Sequence, residues 1–194
     1  PEATRPALRP DSPMIEHFAA ELAESTSGSP LVVFDEALTA SPGLLRHLPP
    51  RRPGTYFATR GGSLGVGIPG AIGAKLARPE STVVGFTGDG GSMYTIQALW
   101  TAARYGVDAK FVVCDNHRYE LLDDNIDQYW RERGIPAHEY PREFDLSHPQ
   151  IGFAELAESL SVDATRVEKP GEVPAAVRRM LTHDGPFLID LVTA

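Results

Sequence analysis

Two hydrophobic rhythms alternate along this chain. Residues 14–24 carry Ile15, Phe18, Ala19 and Leu22 at helical spacing. Leu31, Val32, Val33 and Phe34 follow as a short continuous apolar run, the pattern of a strand buried on both faces. Residues 55–58 are a weaker strand candidate. Residues 64–77 are small and apolar and predict a helix packed closely on a sheet. A strand over 82–87, a helix over 93–104 and a strand over 110–114 come next, the helix presenting Ile96, Leu99, Trp100 and Ala103 on one face. Amphipathic helices over 153–160 and 173–181 precede a last strand over 187–192. Apolar strands separated by helices predict an α/β fold, with a parallel sheet of about six strands covered by helices on both faces. Two stretches break the rhythm. Residues 1–13 hold Pro1, Pro6, Pro10 and Pro13, cannot form a continuous helix, and read as a linker or arm ahead of a domain over 14–194. Residues 123–150 hold Tyr129, Trp130, Pro136, Tyr140, Pro141 and Pro149 and predict an irregular lid or wall over a site.

Composition narrows the function classes. With 194 residues, 42% of them hydrophobic, the chain suits one globular domain with a full core. A net charge of −8 and the lack of a Lys/Arg cluster argue against nucleic acid and anionic membranes as partners. No apolar run approaches the roughly 18–20 residues of a membrane span, and the N-terminus lacks the apolar core of a signal peptide. Cys114 is the only cysteine, so the expected compartment is a reducing cytoplasm and the expected thiol a buried structural one.

The candidate chemistry lies in Gly88-Asp89-Gly90-Gly91-Ser92, followed one helix and one strand later by Asp115-Asn116. Asp89 falls just past the carboxyl end of one predicted strand and Asn116 just past the end of the next. A right-handed crossover brings those ends side by side, on the edge where open α/β sheets bind ligands. A carboxylate and an amide oxygen are hard ligands suited to Mg²⁺ or Ca²⁺. Gly90 and Gly91 allow close backbone approach, and the following helix points free N–H groups at an anion. Taken singly, an Asp-Gly turn or an Asn after a strand is more often structural. Together, at this spacing, they point to a diphosphate held by a cation and a helix start.

This segment resembles the signature of thiamine-diphosphate enzymes, a Gly-Asp-Gly followed one strand–helix–strand unit later by Asn. The resemblance covers nearly the whole chain after the linker, as the C-terminal diphosphate-binding domain. It is closest to the benzoylformate-decarboxylase-like and acetolactate-synthase-like 2-oxo acid enzymes, through Gly61-Gly62-Ser63-Leu64-Gly65, Ile68-Pro69-Gly70-Ala71-Ile72-Gly73, residues 96–103 and the closing Gly185-Pro186-Phe187-Leu188-Ile189-Asp190. It implies thiamine diphosphate and Mg²⁺ as cofactors. Asp89, the Asn116 side chain and the backbone oxygen of Arg118 are the implied metal ligands. Gly90, Gly91 and Thr39 would contact the diphosphate, with Tyr94 and Tyr119 within reach of phosphate. Leu64 would bend the cofactor beneath its thiazolium ring, and the Gly62 carbonyl would accept a hydrogen bond from its 4′-amino group. Two departures stand out: Asp115 where the family often has Asn, and a polar, acidic segment over 117–125 in place of an aromatic-lined one.

The resemblance also makes the chain incomplete. The activating glutamate belongs to a pyrimidine-binding domain that nothing here matches, so no catalytic residue is assigned, and Glu36 reads as a second-layer or capping residue. The chain is then a piece of a longer enzyme or one of two subunits, and the proline-rich opening favours the former. The isolated chain is expected to be inactive. Family members place the cofactor between two chains, which implies a homo-oligomer with apolar surface exposed over 61–71 and 96–100. Decarboxylase and carboligase remain open. So does a domain that binds cofactor without catalysis. A rival from another class is an NAD dehydrogenase, since Gly65-Val66-Gly67-Ile68-Pro69-Gly70 spells G-x-G-x-x-G. A poor preceding strand and Pro69 at the helix start weigh against it. His117 beside Asn116 is a candidate to face substrate.

Overall fold

The computed structural model describes residues 7–193; the first six positions of the expected linker lie outside them, and residues 7–13 form neither helix nor strand. Six strands form one fully parallel sheet: β1 (Leu31–Glu36), β2 (Tyr56–Ala58), β3 (Thr82–Gly88), β4 (Lys110–Asp115), β5 (Asp163–Val167) and β6 (Phe187–Val192), in the spatial order β2-β1-β3-β4-β6-β5. The chain reverses its direction of travel between β1 and β3, which opens a crevice at the carboxyl edge there.

Period-two alternation divides the sheet's side chains between two cores. Val33, Val84, Phe86, Val112, Cys114, Phe187, Ile189 and Leu191 face α1 (Met14–Ser25), α2 (Ser41–His47) and α8 (Val173–Thr182). Val32, Val83, Phe111, Val113 and Leu188 face α3 (Gly67–Ala77), α5 (Ala98–Arg104) and α7 (Phe153–Ser159). Both faces being covered explains why the strands read as continuous apolar runs. Cys114 is buried and unbridged, and burial pushes its thiol pKa far up, as fits a structural residue. Among the described residues no helix is long and apolar enough to cross a membrane.

The structure departs from the expected elements in three places. Residues 120–133, all but the first three of them expected to be irregular, form α6 (Glu120–Arg133), closed by Gly134 in the left-handed region at φ 64°. Its apolar residues are sparse because it lies across the carboxyl edge rather than against the sheet. The irregular stretch is confined to residues 134–152, apart from a 3₁₀ turn at Arg142–Phe144. Strand β5 and helix α2 were not anticipated: the strand is a short edge carrying Asp163 and Arg166, and the helix holds Pro42 and Gly43. Finally, the glycine-rich helix starts at Gly67 rather than residue 64, and the helix expected over 93–104 starts only at Ala98, as α5, with a separate short helix α4 (Asp89–Ser92) before it.

Candidate functional site

Strands β3 and β4 pair in register from Val84 with Lys110 to Gly88 with Cys114, so Asp89 and Asn116 leave adjacent strand ends as expected. Asp89 is buried. Its Oδ1 accepts the Gly90 N–H at 2.7 Å, and its Oδ2 accepts the Arg118 N–H at 3.2 Å. The same N–H donates to Asn116 Oδ1 at 3.2 Å. Two oxygens, one carboxylate and one amide, thus converge on a single backbone donor, although 27 positions separate them. Asn116 is oriented from behind by Glu120, whose Oε2 accepts its Nδ2–H at 2.9 Å. Burial, followed by the neighbouring Asp115 carboxylate within hydrogen-bonding reach, pushes the Asp89 pKa up to about 6 against the Gly90 and Arg118 hydrogen bonds. A buried carboxylate of this kind is short of positive charge.

The arrangement fits a hard divalent cation at Asp89 and Asn116. Arg118 turns its N–H toward these oxygens. Among the described residues no group of three or more His, Cys, Asp or Glu could hold a metal, and a set of carboxylate, amide oxygen and backbone oxygen does not require one. The two glycines after Asp89 are demanded by space. A Cβ at Gly90 would lie 2.2 Å from Tyr119 Cε1, and one at Gly91 would lie 2.9 Å from Glu36 Oε1. Tyr119 therefore packs directly on Gly90.

The remaining expected positions gather on the same edge. Thr39 lies in the 3₁₀ turn Leu38–Ala40 that follows β1, and that turn packs against β3 and α6. Gly62 and Leu64 lie in the loop between β2 and α3, Gly62 exposed with φ 69° and Leu64 half-buried. Gly65 fixes that loop against the segment after α4, its carbonyl accepting Thr95 Oγ1–H at 2.8 Å. Tyr94 is exposed beside it.

The two departures have structural accounts. The acids of residues 117–125 serve the start of α6: Glu120 holds Asn116, and buried Asp123 accepts Arg118 Nε–H at 2.5 Å. Acids in a first helical turn also suit its dipole. Asp115 is buried and holds His117, accepting its backbone N–H at 3.2 Å and lying 2.8 Å from its Nδ1. Behind it, Arg166 reaches Asp115 at 3.5 Å and Asp190 at 2.6 Å. Arg166 escaped the sequence reading because its strand did. The only signal for it is an isolated cation near two acids whose strands sit side by side in the fold. Residues 134–150 form a wall rather than a free lid: Tyr119 N–H donates to Phe144 O and Leu146 N–H to His117 O, each at 2.8 Å, and Arg118 lies over the Tyr140 ring.

The dinucleotide reading fails on geometry. The backbone N–H groups of Gly65, Val66 and Gly67, where a pyrophosphate would sit, all donate to the carboxylate of Glu36. The glycines serve packing: a Cβ at Gly67 would lie 2.8 Å from Phe86 O, and one at Gly70 would enter the Phe34 ring. The apolar surface expected over 61–71 and 96–100 is largely missing, Trp100 being its one exposed large apolar side chain. Met93, Tyr94 and Trp100 are exposed, whereas Ile68, Ala71, Ile96 and Leu99 belong to the core.

Known proteins carry the same framework. The chain is 31% identical to a benzoylformate decarboxylase of Pseudomonas aeruginosa over 99% of its own length and 37% of the relative's. It is 32% identical to the acetolactate synthase isozyme 2 large subunit of Escherichia coli over 74% of its length and 25% of that protein. A solved structure of a Rhodococcus jostii thiamine diphosphate-dependent 4-hydroxybenzoylformate decarboxylase superposes with a TM-score of 0.79 and 28% identity, covering 98% of this chain and 34% of the other. The chain thus spans about a third of the length of its first relatives. The family model described as thiamine pyrophosphate enzyme, C-terminal TPP binding domain, matches residues 40–191, and with the Gly-Asp-Gly and Asn strand ends in register the chain belongs to that family.

Proposed function

We propose that this chain is the diphosphate- and Mg²⁺-binding domain, over residues 14–194, of a cytoplasmic 2-oxo acid decarboxylase of the benzoylformate decarboxylase kind, inactive without a pyrimidine-binding domain. The observation that carries the reading is the buried Asp89 carboxylate facing Asn116 Oδ1 across the Arg118 N–H. Asp89, Asn116 and the backbone oxygen of Arg118 would hold Mg²⁺. Gly90, Gly91 and Thr39 would receive the diphosphate. Gly62 would offer its carbonyl to the aminopyrimidine, and Leu64 would support the thiazolium ring from below. Tyr119, seated on Gly90, would close that side against water. Bound thiamine diphosphate supplies the electron sink for loss of carbon dioxide. This chain's part is to orient it.

The activating acid must come from elsewhere. Glu36 is the first carboxylate to consider in this chain, but three backbone N–H groups occupy its two oxygens. The shares of relatives covered support a pyrimidine-binding domain in the same longer polypeptide, with residues 1–13 as the linker to it. Exposed Met93, Tyr94 and Trp100 support pairing of two copies across this face. A carboligase of acetolactate synthase type is the second reading, favoured by the Escherichia coli relative.

Calorimetry with Mg²⁺ and thiamine diphosphate tests the assignment. Asp89→Ala should abolish the Mg²⁺-dependent heat, and an unchanged affinity would refute the site. NAD should give none. Turnover of benzoylformate or pyruvate should appear only when the pyrimidine-binding domain is added; turnover by the chain alone would show that it holds its own activating acid. Acetolactate formed from pyruvate would select the carboligase.

A further inference from the structure

Glu36 ends β1 and is 1% exposed, so its carboxylate depends on protein partners. Oε1 accepts the Gly65 N–H at 2.7 Å, and Oε2 accepts the Val66 N–H at 2.7 Å as well as that of Gly67. Gly65 is gripped from its other side by Thr95 Oγ1, at 2.8 Å from its carbonyl. Its φ of 81° and the 2.8 Å that would separate a Cβ from Tyr94 Cβ leave it no other residue type. On its second flank the Glu36 carboxylate abuts Gly91, where a Cβ would lie 2.9 Å from Oε1. One buried side chain therefore joins the end of β1, the loop that bears Gly62 and Leu64, and the glycines after Asp89.

We infer that Glu36, together with Thr95, is a positioning residue: it sets where Gly62 and Leu64 stand relative to the diphosphate anchor, and it exchanges no proton with the cofactor. The inference rests on the function proposed above. A plain helix cap would behave differently. A carboxylate beside a diphosphate site repels it, so a side chain that only caps α3 could lose its charge and leave cofactor affinity equal or improved. A positioning side chain cannot. Glu36→Gln keeps the shape but replaces one acceptor oxygen with an NH₂ that faces backbone donors.

The test compares two probes, thiamine diphosphate and inorganic diphosphate, each with Mg²⁺, on the chain supplemented with the pyrimidine-binding domain. Glu36→Gln and Thr95→Val are measured beside the parent, and hydrogen exchange is followed over residues 61–67. The expected result is a weakening of about tenfold or more for thiamine diphosphate, with inorganic diphosphate changed by less than about threefold, because only the ring-facing loop has been released. Amide exchange of the loop should speed up in both variants. Equal or tighter binding of thiamine diphosphate would overturn the inference, as would parallel losses for both probes. If Glu36→Gln fails to fold, Thr95→Val carries the same comparison. A parent that binds neither probe would overturn the proposed function and this inference with it.

Discussion

Replacing Asp89 by Asn should stabilise the metal-free chain at alkaline pH while removing its affinity for Mg²⁺. The Asp89 carboxyl has an ordinary pKa of 3.8 in the unfolded chain and is pushed up to about 6 in the fold, chiefly by burial and then by Asp115. The folded chain holds that proton more tightly, so the stability it contributes is full below about pH 3.8 and lost as pH rises through about 6. The gap corresponds to about 3 kcal/mol against the fold above pH 7. About half of that has been lost by pH 5, and the rest goes between pH 5 and pH 8. Asn removes the charge. It gives up one acceptor, but the Arg118 N–H keeps Asn116 Oδ1 at 3.2 Å, so the cost is about 1 kcal/mol or less. The net gain at pH 8 is about 2 kcal/mol. Urea unfolding of parent and variant at pH 5 and pH 8, in EDTA, reads the difference directly, which should widen by about 1–2 kcal/mol. Mg²⁺ with thiamine diphosphate should reverse the order, because only the parent's native state binds them. Parallel pH curves, or a variant less stable than the parent at pH 8, would refute the view of Asp89 as a carboxylate awaiting a cation.

Three further outcomes follow from the packing. Gly85→Ala places a Cβ 2.7 Å from Ala71 Cβ and 2.8 Å from Gly67 O in the middle of the sheet, and should cost about 1–3 kcal/mol by urea unfolding. Arg166→Gln leaves fully buried Asp190 without its cation and should cost about 3 kcal/mol, most of it recovered when Asp190→Asn is added; additive losses in the double-mutant cycle would show the pair to be uncoupled. Trp100→Glu puts a charge on the exposed apolar face and should shift self-association toward monomer in sedimentation runs without changing the far-ultraviolet spectrum; an unchanged distribution would place the interface elsewhere.

What the sequence determined was the α/β sheet and the meeting of Asp89 with Asn116. Both rest on short-range rules: apolar runs of strand length need cover on two faces, and a parallel crossover has one hand. Gly90 and Gly91 read from the sequence as points of close backbone approach to a ligand; that a side chain there would strike Tyr119 or Glu36 is visible only in the packing. Long-range facts were decided by the tertiary structure. Helix α6 carries few apolar residues because it lies on the sheet's edge rather than its face, so periodicity had little to report. Strand β5 is a short edge that gives only Ala164 and Val167 to the cores, while its Arg166 serves Asp190. Glu36 read as a capping or second-layer residue, yet which N–H groups it serves depends on a loop about thirty positions away. The raised pKa of Asp89 comes from burial and from Asp115, neither of which a linear motif records. Local pattern names the atoms that can bind a cation and a diphosphate; only packing fixes which neighbours deprive them of water and charge, because desolvation depends on everything that surrounds a group.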